Sequence, residues 1–407
     1  MSQPKHRKSR VEGVVSQFKR ACHRGEYLIA MDLSTRLQDA QRRGQLPSVV
    51  AYNRIDGPGS SLDLREFQQA LWTVPKVPVN AIDDGTQEWS RKLPRTVGIT
   101  VDTGTRITAQ PYEHQKIAVQ SVEYNTNVQA TSGEVPPVKG NWLLKIIDIF
   151  GLSGVKFVLR NIKAGTHSAG LGGSASATTG VCILANELAG RPFGPTQLVS
   201  LASRMEQDLG VSITGTQEQS NVVFGGVVDY VWFPWGIPGK PETGYGESLR
   251  SELIPSSAYE QLEKRMVIFH TGRSRSSTDV NSVWREALAT PEGYKLHAKK
   301  PEVAYRFREG LRTRDWNQVL DSIREYRELR TALCGQYMAG AEQILSESEA
   351  GGCTAFPLGA GGGGGVLVFA VDPDSLRQIR RALSIAYIEV PFHIRARGHE
   401  LLHLPLH

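Results

Sequence analysis

The sequence lacks the features that mark membrane, secreted and zinc-binding proteins. It contains no unbroken run of about 18 apolar residues, the length that a membrane-spanning helix needs. Its first residues are polar and basic and do not resemble a secretory signal. The cysteines Cys22, Cys182, Cys334 and Cys353 show no paired spacing of the kind found in zinc sites or disulfide frameworks. These absences predict a chain without membrane contact, located in a reducing cytoplasm.

The composition is otherwise that of an ordinary globular protein. Of 407 residues, 40% are hydrophobic and 22% are charged, so the chain is long enough for two domains. The net charge of +6 suits either a nucleic-acid partner or phosphorylated small molecules. The basic residues are dense only at residues 5–10, which we interpret as a solvated tail. A nucleic-acid-binding arm is the alternative, and we do not expect nucleic acid as a partner.

Hydrophobic periodicity predicts a mixture of strands and helices, and therefore an α+β fold. Residues 1–47 are predicted to form a basic tail with one helix at 27–43, without an assigned role. Strands are predicted at residues 49–56, 97–109, 116–124, 155–159, 222–233, 266–270, 366–371 and 387–390. Further helices are predicted at 142–150, directly after residue 176, and at 195–209, 280–288, 316–344 and 374–383. Residues 125–139 are predicted to be a loop.

A glycine-rich loop runs directly into one of the predicted helices. Its sequence is Gly170-Leu171-Gly172-Gly173-Ser174-Ala175-Ser176. Small residues let backbone N–H groups approach a ligand, and the positive end of the following helix favours an anion. This loop therefore predicts a phosphate-binding site, with a ligand-free turn as the plain alternative.

Two better-known phosphate loops do not fit this stretch. A P-loop ends in Gly-Lys-Ser/Thr, and no lysine is present. The spacing of Gly170, Gly172 and Ala175 satisfies a loose dinucleotide pattern, but that fold needs an acid at the end of a second strand about 20 residues on. Gly190-Arg191-Pro192 stands there instead, which disfavours a dinucleotide site.

Two carboxylates follow the glycine-rich loop. Glu206 lies on the predicted helix 195–209, and Glu218 lies in a predicted loop between Gln217 and Gln219. In a Mg²⁺–ATP reaction one acid holds the metal, and another orients or deprotonates the attacking hydroxyl. The two glutamines are suited to hydrogen-bonding a polyol. A solvated acid and a polar turn are the alternative interpretation.

A second glycine block, Gly359 to Gly365, is interrupted only by Ala360. Ordering such a run has a large entropic cost, yet an apolar predicted strand follows it immediately. We therefore place the block inside the fold and not in a linker. We expect its backbone to approach a ligand or the first glycine loop.

Taken in order, three blocks resemble the GHMP small-molecule kinases, which include galactokinase and the homoserine, mevalonate and phosphomevalonate kinases. They are Arg54-Ile55-Asp56 with the turn to Asp63, Gly170 to Ala175, and Gly359 to Gly364. A finer resemblance to the heptose 7-phosphate kinase and fucokinase branch rests on four stretches, at 54–63, at 215–219 with 224–226, at 270–276 and at 390–398. The resemblance covers about residues 48–405.

The resemblance implies a two-domain α+β fold. Residues 48–235 would form a ribosomal protein S5-like, ATP-binding domain, and residues 236–407 a ferredoxin-like domain. ATP would lie between them, and the protein would be a monomer or a homodimer. The implied reaction is phosphoryl transfer to the anomeric hydroxyl of a heptose, free or phosphorylated, or of a 6-deoxyhexose.

The resemblance also implies roles for individual residues. Glu218 stands where the family has its catalytic Asp, and Ser174 and Glu206 would bind Mg²⁺. The loop Gly170 to Ser176 would bind the phosphates of ATP. The implied substrate-binding set is Arg54, Asp63, Gln217, Gly361, Gly362 and Arg275. Because Glu replaces the usual Asp, a non-catalytic sugar or nucleotide sensor is the alternative function.

Overall fold

The computed structural model describes residues 31–72, 88–163, 169–237, 247–273, 277–338 and 340–403. Within these ranges the chain forms a mixed α/β fold, built on a large sheet and a smaller one. None of the helices in this part of the chain is long and apolar enough to span a bilayer. The α+β class predicted from periodicity is confirmed.

The strands of the described residues, numbered in chain order, are β1 (Met31–Asp32), β2 (Ser48–Asp56), β3 (Arg95–Pro111), β4 (Lys116–Ser121), β5 (Thr126–Thr131), β6 (Leu152–Ser153), β7 (Val155–Asn161), β8 (Val227–Trp232), β9 (Ser248–Glu252), β10 (Met266–His270), β11 (Thr354–Pro357), β12 (Gly365–Phe369), β13 (Ile388–Glu389) and β14 (His399–Leu402).

The helices of the same residues are α1 (Ser34–Arg42), α2 (Arg65–Leu71), α3 (Glu88–Arg91), α4 (Trp142–Ile149), α5 (Gly173–Leu188), α6 (Pro195–Asp208), α7 (Gln217–Phe224), α8 (Tyr259–Glu263), α9 (Ser277–Leu288), α10 (Pro291–His297), α11 (Lys300–Thr313), α12 (Trp316–Cys334), α13 (Glu342–Ala350) and α14 (Pro373–Leu383). Short 3₁₀ turns lie at Lys139–Asn141, Ser256–Ala258 and Gly335–Met338.

In the described chain the large sheet has eight strands, in the order β14-β2-β3-β7-β4-β5, with β8 and β9 continuing from β3. The long strand β3 pairs with β8 through its first residues and with β7 through its last. Strands β9 and β14 come from beyond residue 236 and still belong to this sheet. The sheet therefore does not follow the predicted division between residues 235 and 236.

Helix α5 lies directly on the large sheet. It packs so closely that a Cβ on Gly180 would lie 2.5 Å from the Cδ1 of Ile107 and 2.9 Å from the Cβ of Ala51. Ile107 and Ala51 are on β3 and β2. This approach brings the first turn of α5 beside the end of β2, where Arg54 lies.

The smaller sheet, in the described residues, has four strands in the order β11-β12-β10-β13. Strand β10 sends alternate side chains to two different hydrophobic clusters, as the two-residue period of a strand requires. Val267 and Phe269 pack with helices α13 and α14. Met266 and Ile268 pack with α11 and α12. The sheet is therefore covered by helices on both faces.

The segment between β13 and β14 passes from the small sheet back to the large one. Asp102 donates its N–H to the carbonyl of His393 at 2.9 Å, and Arg395 donates to the carbonyl of Thr100 at 2.8 Å. Farther on, Gly398 lies against the backbone of helix α7, close to Asn221. The returning segment thus fixes α7, which carries Glu218, against the large sheet.

Two local predictions were wrong. The predicted loop at 125–139 contains strand β5, whose polar residues pair with β4 at the edge of the sheet and so lack an alternating apolar pattern. The predicted strand at 222–233 begins only at Val227, because residues 217–224 form helix α7. The polar Gln-Glu-Gln start and the flanking glycines conceal that helix in the sequence.

Replacement of Gly398 by Ala tests the packing of the returning segment. A Cβ on Gly398 would overlap the carbonyl oxygens of Asn221 and Val222, which are backbone atoms and cannot turn aside. We expect Gly398→Ala to lower the free energy of unfolding by about 2 kcal/mol, as overpacked sites do. Urea denaturation measures this change.

The matched control is Gly335→Ala, where the nearest atom to an added Cβ is 4.0 Å away. It has helical φ and ψ, so Ala there should leave stability unchanged or raise it by up to about 1 kcal/mol. If both substitutions change the free energy of unfolding equally, the close packing of Gly398 against α7 is contradicted.

Candidate active site

The two glycine-rich segments meet backbone to backbone. Gly365 donates its N–H to the carbonyl of Ala169 at 2.9 Å. A Cβ on Gly170 would lie 3.0 Å from the carbonyl oxygen of Leu358, and a Cβ on Gly359 would lie 3.0 Å from that of Gly170. Both glycines also have positive φ, +71° and +59°. The prediction that the second block lies inside the fold, against the first loop, is confirmed.

The first loop ends at the N-terminus of helix α5. Gly172 caps the helix with φ +83°, and the first turn, beginning at Gly173, contains no acidic side chain. The backbone N–H groups of this turn and the helix dipole therefore favour an anion at this end. Ser174 lies in the same turn, and its hydroxyl faces Glu206.

Glu206 is buried, with 1% of its surface exposed, and it accepts several hydrogen bonds. The donors are the hydroxyls of Ser174 at 2.9 Å, Thr178 at 2.7 Å and Ser212 at 3.2 Å, and the amide of Gln219 at 3.3 Å. Burial raises the pKa of Glu206 to about 7, although these hydrogen bonds act against the shift. The amide of Gln219 therefore donates to Glu206. This corrects the prediction that Gln219 contacts a polyol.

The pairing of Ser174 with Glu206 fits one mode of Mg²⁺ binding. No group of three or more His, Cys, Asp or Glu side chains that could hold a metal occurs in the described parts of the chain. Mg²⁺ in nucleotide sites is usually held by one or two carboxylates together with phosphates and water. One hydroxyl and one carboxylate, 2.9 Å apart beside an anion-binding helix end, suit that mode and not an all-protein cage.

Arg54 is buried at the centre of the site and uses all three of its nitrogens. Its Nε lies 2.8 Å from a carboxylate oxygen of Asp56. One terminal nitrogen pairs with Glu218, and the other donates to the carbonyl of Gly170 at 3.3 Å. Arg54 was predicted to bind substrate, and the structure makes it the ionic partner of the predicted catalytic acid.

Glu218 lies in the first turn of helix α7 and not in a loop, which corrects the sequence-based prediction. Its side chain remains 28% exposed. One of its carboxylate oxygens would be 3.6 Å from a Cβ on Gly172, and Arg54 would be 3.2 Å from the same position. A partly exposed carboxylate therefore stands directly beside the phosphate-binding loop.

Asp63 lies near Glu218 and is held by the start of helix α7. Gln217 donates its backbone N–H to a carboxylate oxygen of Asp63 at 3.0 Å. The side-chain amide of Gln217 donates to the carbonyl of Val97 at 3.1 Å. Gln217 was predicted to bind substrate. This bond directs its amide N–H into the fold, and the residue also lines the polar cavity described below. Burial, together with the nearby charge of Glu218, raises the pKa of Asp63 to about 6, although the hydrogen bond from Gln217 acts against this shift.

Two cavities open beside the first turn of α5, and Ser174 lines both. One is polar, with a volume of about 90 Å³. The other is mainly apolar, with a volume of about 480 Å³. The polar cavity is lined by residues that include Arg54, Asp56, Ser60, Ser61, Asp63, Glu218, Asn281, Trp284, Gly359 and Ala360. The apolar cavity is lined by residues that include Val119, Tyr124, Val128, Trp142, Leu143, Leu144 and Leu159.

Some predicted substrate-binding residues are not part of this arrangement. The second glycine block contributes Gly359 and Ala360 to the polar cavity. Gly361 and Gly362, the glycines named from the sequence, do not line it. Arg275 lies outside the described residues. Asn281 and Trp284, from helix α9, line the cavity without any local sequence signal, since only the packing of α9 brings them there.

The comparison with known proteins agrees with this geometry. Residues 141–226 match the family model described as the N-terminal domain of GHMP kinases. This segment includes the first glycine loop, Glu206 and Glu218. The sequence has no significant match among curated proteins.

Solved structures resemble the whole fold. A D-glycero-D-manno-heptose 1-phosphate kinase from Bacteroides thetaiotaomicron has 16% identity and a TM-score of 0.63, over 88% of this chain and 98% of that one. A Lactococcus lactis galactokinase complexed with galactose has 16% identity and a TM-score of 0.56, over 91% and 100%. The Methanococcus jannaschii mevalonate kinase has 14% identity and a TM-score of 0.60, over 87% and 99%. At these identities the likeness establishes the fold, which is that of GHMP kinases.

The raised pKa of Asp63 predicts a pH-dependent effect of Asp63→Asn. The carboxyl pKa is 3.8 in the unfolded chain and about 6 in the fold, so the cost of burying Asp63 grows between these pH values and is constant above them. Asn keeps an oxygen for the Gln217 N–H and does not titrate. The stability of the variant relative to the parent should therefore rise from about pH 4 to pH 6 and then level off.

Denaturant unfolding of both proteins at several pH values between about 4 and 8 measures this difference. Asp374→Asn, at an exposed surface position, serves as the control. A difference for Asp63→Asn that is the same at every pH would contradict the prediction.

Proposed function

We propose that this chain, which has the GHMP kinase fold, is an ATP-dependent sugar kinase that uses Mg²⁺. It transfers the γ-phosphoryl group of ATP to a sugar hydroxyl, the anomeric one, and forms a sugar 1-phosphate. The observation that carries the proposal is the position of Ser174 and the first turn of α5. Ser174 lines both an apolar cavity and an acid-lined one, so that a phosphate chain bound at this helix end can reach from one to the other.

The apolar cavity is suited to the base of the nucleotide. Side chains such as Trp142 and Leu143 line it, and its volume of about 480 Å³ falls within the range of small-molecule pockets. The phosphates then lie on the glycine loop, where the backbone N–H groups of α5 donate to them. Ser174 and Glu206 would hold Mg²⁺, which neutralises charge on the phosphate oxygens.

Glu218 and Arg54 act on the side of the acceptor. Glu218 is the partly exposed carboxylate beside the loop, and it accepts the proton of the attacking sugar hydroxyl. Arg54 holds Glu218 in position through their ion pair. Its donation to the carbonyl of Gly170 ties the same guanidinium to the loop, so its positive charge lies where negative charge develops during transfer.

The choice of a sugar rests on the polar cavity and on the relatives. Carboxylate and hydroxyl groups from Asp63, Ser60 and Ser61 line the cavity, and such groups bind polyols through hydrogen bonds. The similar structures include a galactokinase complexed with galactose and a heptose 1-phosphate kinase.

The direct test is ADP release by the purified protein with Mg²⁺–ATP and a panel of hexoses, 6-deoxyhexoses and heptoses. We expect sugar-dependent ADP formation, with the phosphate on the anomeric oxygen as seen by ³¹P NMR. If ATP and a sugar bind without turnover, the protein is a sensor on the same scaffold, and the kinase proposal is wrong.

Glu218→Gln should remove the proton acceptor and retain the shape of the side chain. We expect kcat to fall by about 10²–10⁴-fold, with little change in the affinity for ATP. Steady-state kinetics and calorimetric titration with ATP separate these two effects. Glu260→Gln changes an exposed glutamate on α8 and should leave both unchanged. A kcat within about two-fold of the parent for Glu218→Gln would exclude general-base catalysis by this residue.

Ser174→Ala should weaken the binding of Mg²⁺–ATP. It removes a hydroxyl that donates to Glu206 at 2.9 Å in the first turn of α5. A hydrogen bond to a charged group corresponds to about a ten-fold change in binding or more. The Mg²⁺ concentration for half-maximal rate and the KM for ATP should therefore rise by about ten-fold. Ser346→Ala, on α13, is the control, and an unchanged Mg²⁺ requirement would contradict the role of Ser174.

A further inference from the structure

The lining of the polar cavity also indicates which class of sugar it takes. Resting on the proposed function, we infer that the acceptor is an uncharged polyhydroxy sugar, and that the cavity excludes sugar phosphates. Ser61, supported by Lys300, is a specificity-determining residue that donates a hydrogen bond to this acceptor. Three observations carry the inference: the charges of the lining, the hydrogen-bonding character of its groups, and the contact between Lys300 and Ser61.

The charges of the cavity are unfavourable for a phosphate. Three acidic side chains line it, from Asp56, Asp63 and Glu218, and burial raises the pKa of Asp56 to about 7. The one cation among its described lining residues is Arg54. All three nitrogens of Arg54 are already engaged, by Asp56, Glu218 and the carbonyl of Gly170. A phosphate ester in this cavity would face carboxylates with no uncommitted cation in the described lining, and like charges brought together weaken binding.

The hydrogen-bonding character of the lining also disfavours a phosphate. Ionised carboxylates only accept hydrogen bonds, so they require a ligand that donates. Sugar hydroxyls donate as well as accept. A phosphate monoester near pH 7 carries close to two negative charges, and its oxygens are predominantly acceptors. Asp63 and Glu218 therefore select hydroxyl groups over phosphate oxygens.

Lys300, which does not itself line the cavity, determines the direction in which the Ser61 hydroxyl hydrogen-bonds. The Nζ of Lys300 is fully buried and donates to the Oγ of Ser61 at 3.3 Å. It lies 4.0 Å from the ring centroid of Trp284, and Lys300 itself does not line the cavity. Because the Ser61 oxygen accepts from Lys300, the hydroxyl proton of Ser61 is left to donate, and Ser61 lines the cavity.

The positive charge of Lys300 does not offset the carboxylates. Burial lowers its pKa, and its amine is not part of the cavity lining. Ser61 and Trp284 stand between this amine and the ligand space. The cavity itself, at about 90 Å³, has room for about three water molecules, which suits one edge of a sugar ring.

The experiment compares matched pairs of sugars with and without a phosphate. The full-length protein is assayed with Mg²⁺–ATP and with mannose, galactose and a heptose, each against its terminal phosphate ester. Binding of the same compounds is measured by calorimetry with a non-hydrolysable ATP analogue. We expect kcat/KM and affinity at least about ten-fold higher for every unphosphorylated member that binds.

The outcomes separate this inference from the kinase proposal. Tighter binding or faster turnover of the phosphate esters overturns the inference and leaves the kinase proposal intact. Binding of free sugars without turnover overturns the kinase proposal and supports the inference. The inference is also overturned if no unphosphorylated sugar of the panel binds.

Two variants test the residues themselves. Ser61→Ala should raise the KM for the sugar by about ten-fold, because the loss of one hydrogen bond weakens binding by about that factor. The kcat and the KM for ATP should be nearly unchanged. Asp63→Asn removes one carboxylate and should narrow the preference for free sugars over their phosphates. Glu260→Gln, on the surface of α8, should leave the preference unchanged. An unaltered sugar KM in Ser61→Ala would overturn the role of Ser61.

Discussion

The site depends on a backbone-to-backbone contact between two segments that are far apart in the chain. Ala169 and Gly170 lie against Leu358, Gly359 and Gly365. At Gly170 and Gly359 the φ angles are positive and the opposing carbonyls leave almost no space for a Cβ, so only glycine suits these positions. The contact joins the small sheet to the loop that begins α5. It thereby sets the position of the helix end between the two cavities.

Several acidic side chains are buried around this contact. Asp56, Asp63 and Glu206 are nearly inaccessible, and burial raises the pKa of each. Buried carboxylates are costly unless they are paired or hydrogen-bonded. Arg54 pairs with Asp56, and hydroxyl and amide groups satisfy Glu206. These acids lie beside the N-terminus of α5, where the proposed reaction would use them for a metal and for an acceptor hydroxyl.

Several parts of the site were accessible from local sequence. The glycines at 170–173 next to a helical pattern predicted the anion-binding turn, and Glu206 followed from its position on an amphipathic helix. Other parts were not accessible. The polar sequence of α7 resembled a turn, because its helical state depends on packing against Gly398 and the large sheet. Strand β14 belongs to the large sheet only through pairing with β2, a contact across more than 300 residues that no local pattern encodes.

The sequence by itself determined the α+β class, the glycine segments and the acidic residues of the candidate site. These follow from short-range rules, because side-chain period, glycine content and charge act within a few residues along the chain. Only the tertiary structure decided that Arg54 serves Glu218, that Gln217 and Gln219 support the site, and that Lys300 stands behind Ser61. Each of these pairings joins residues from different elements, and their partners are selected by how helices and sheets pack, a property of the folded chain as a whole.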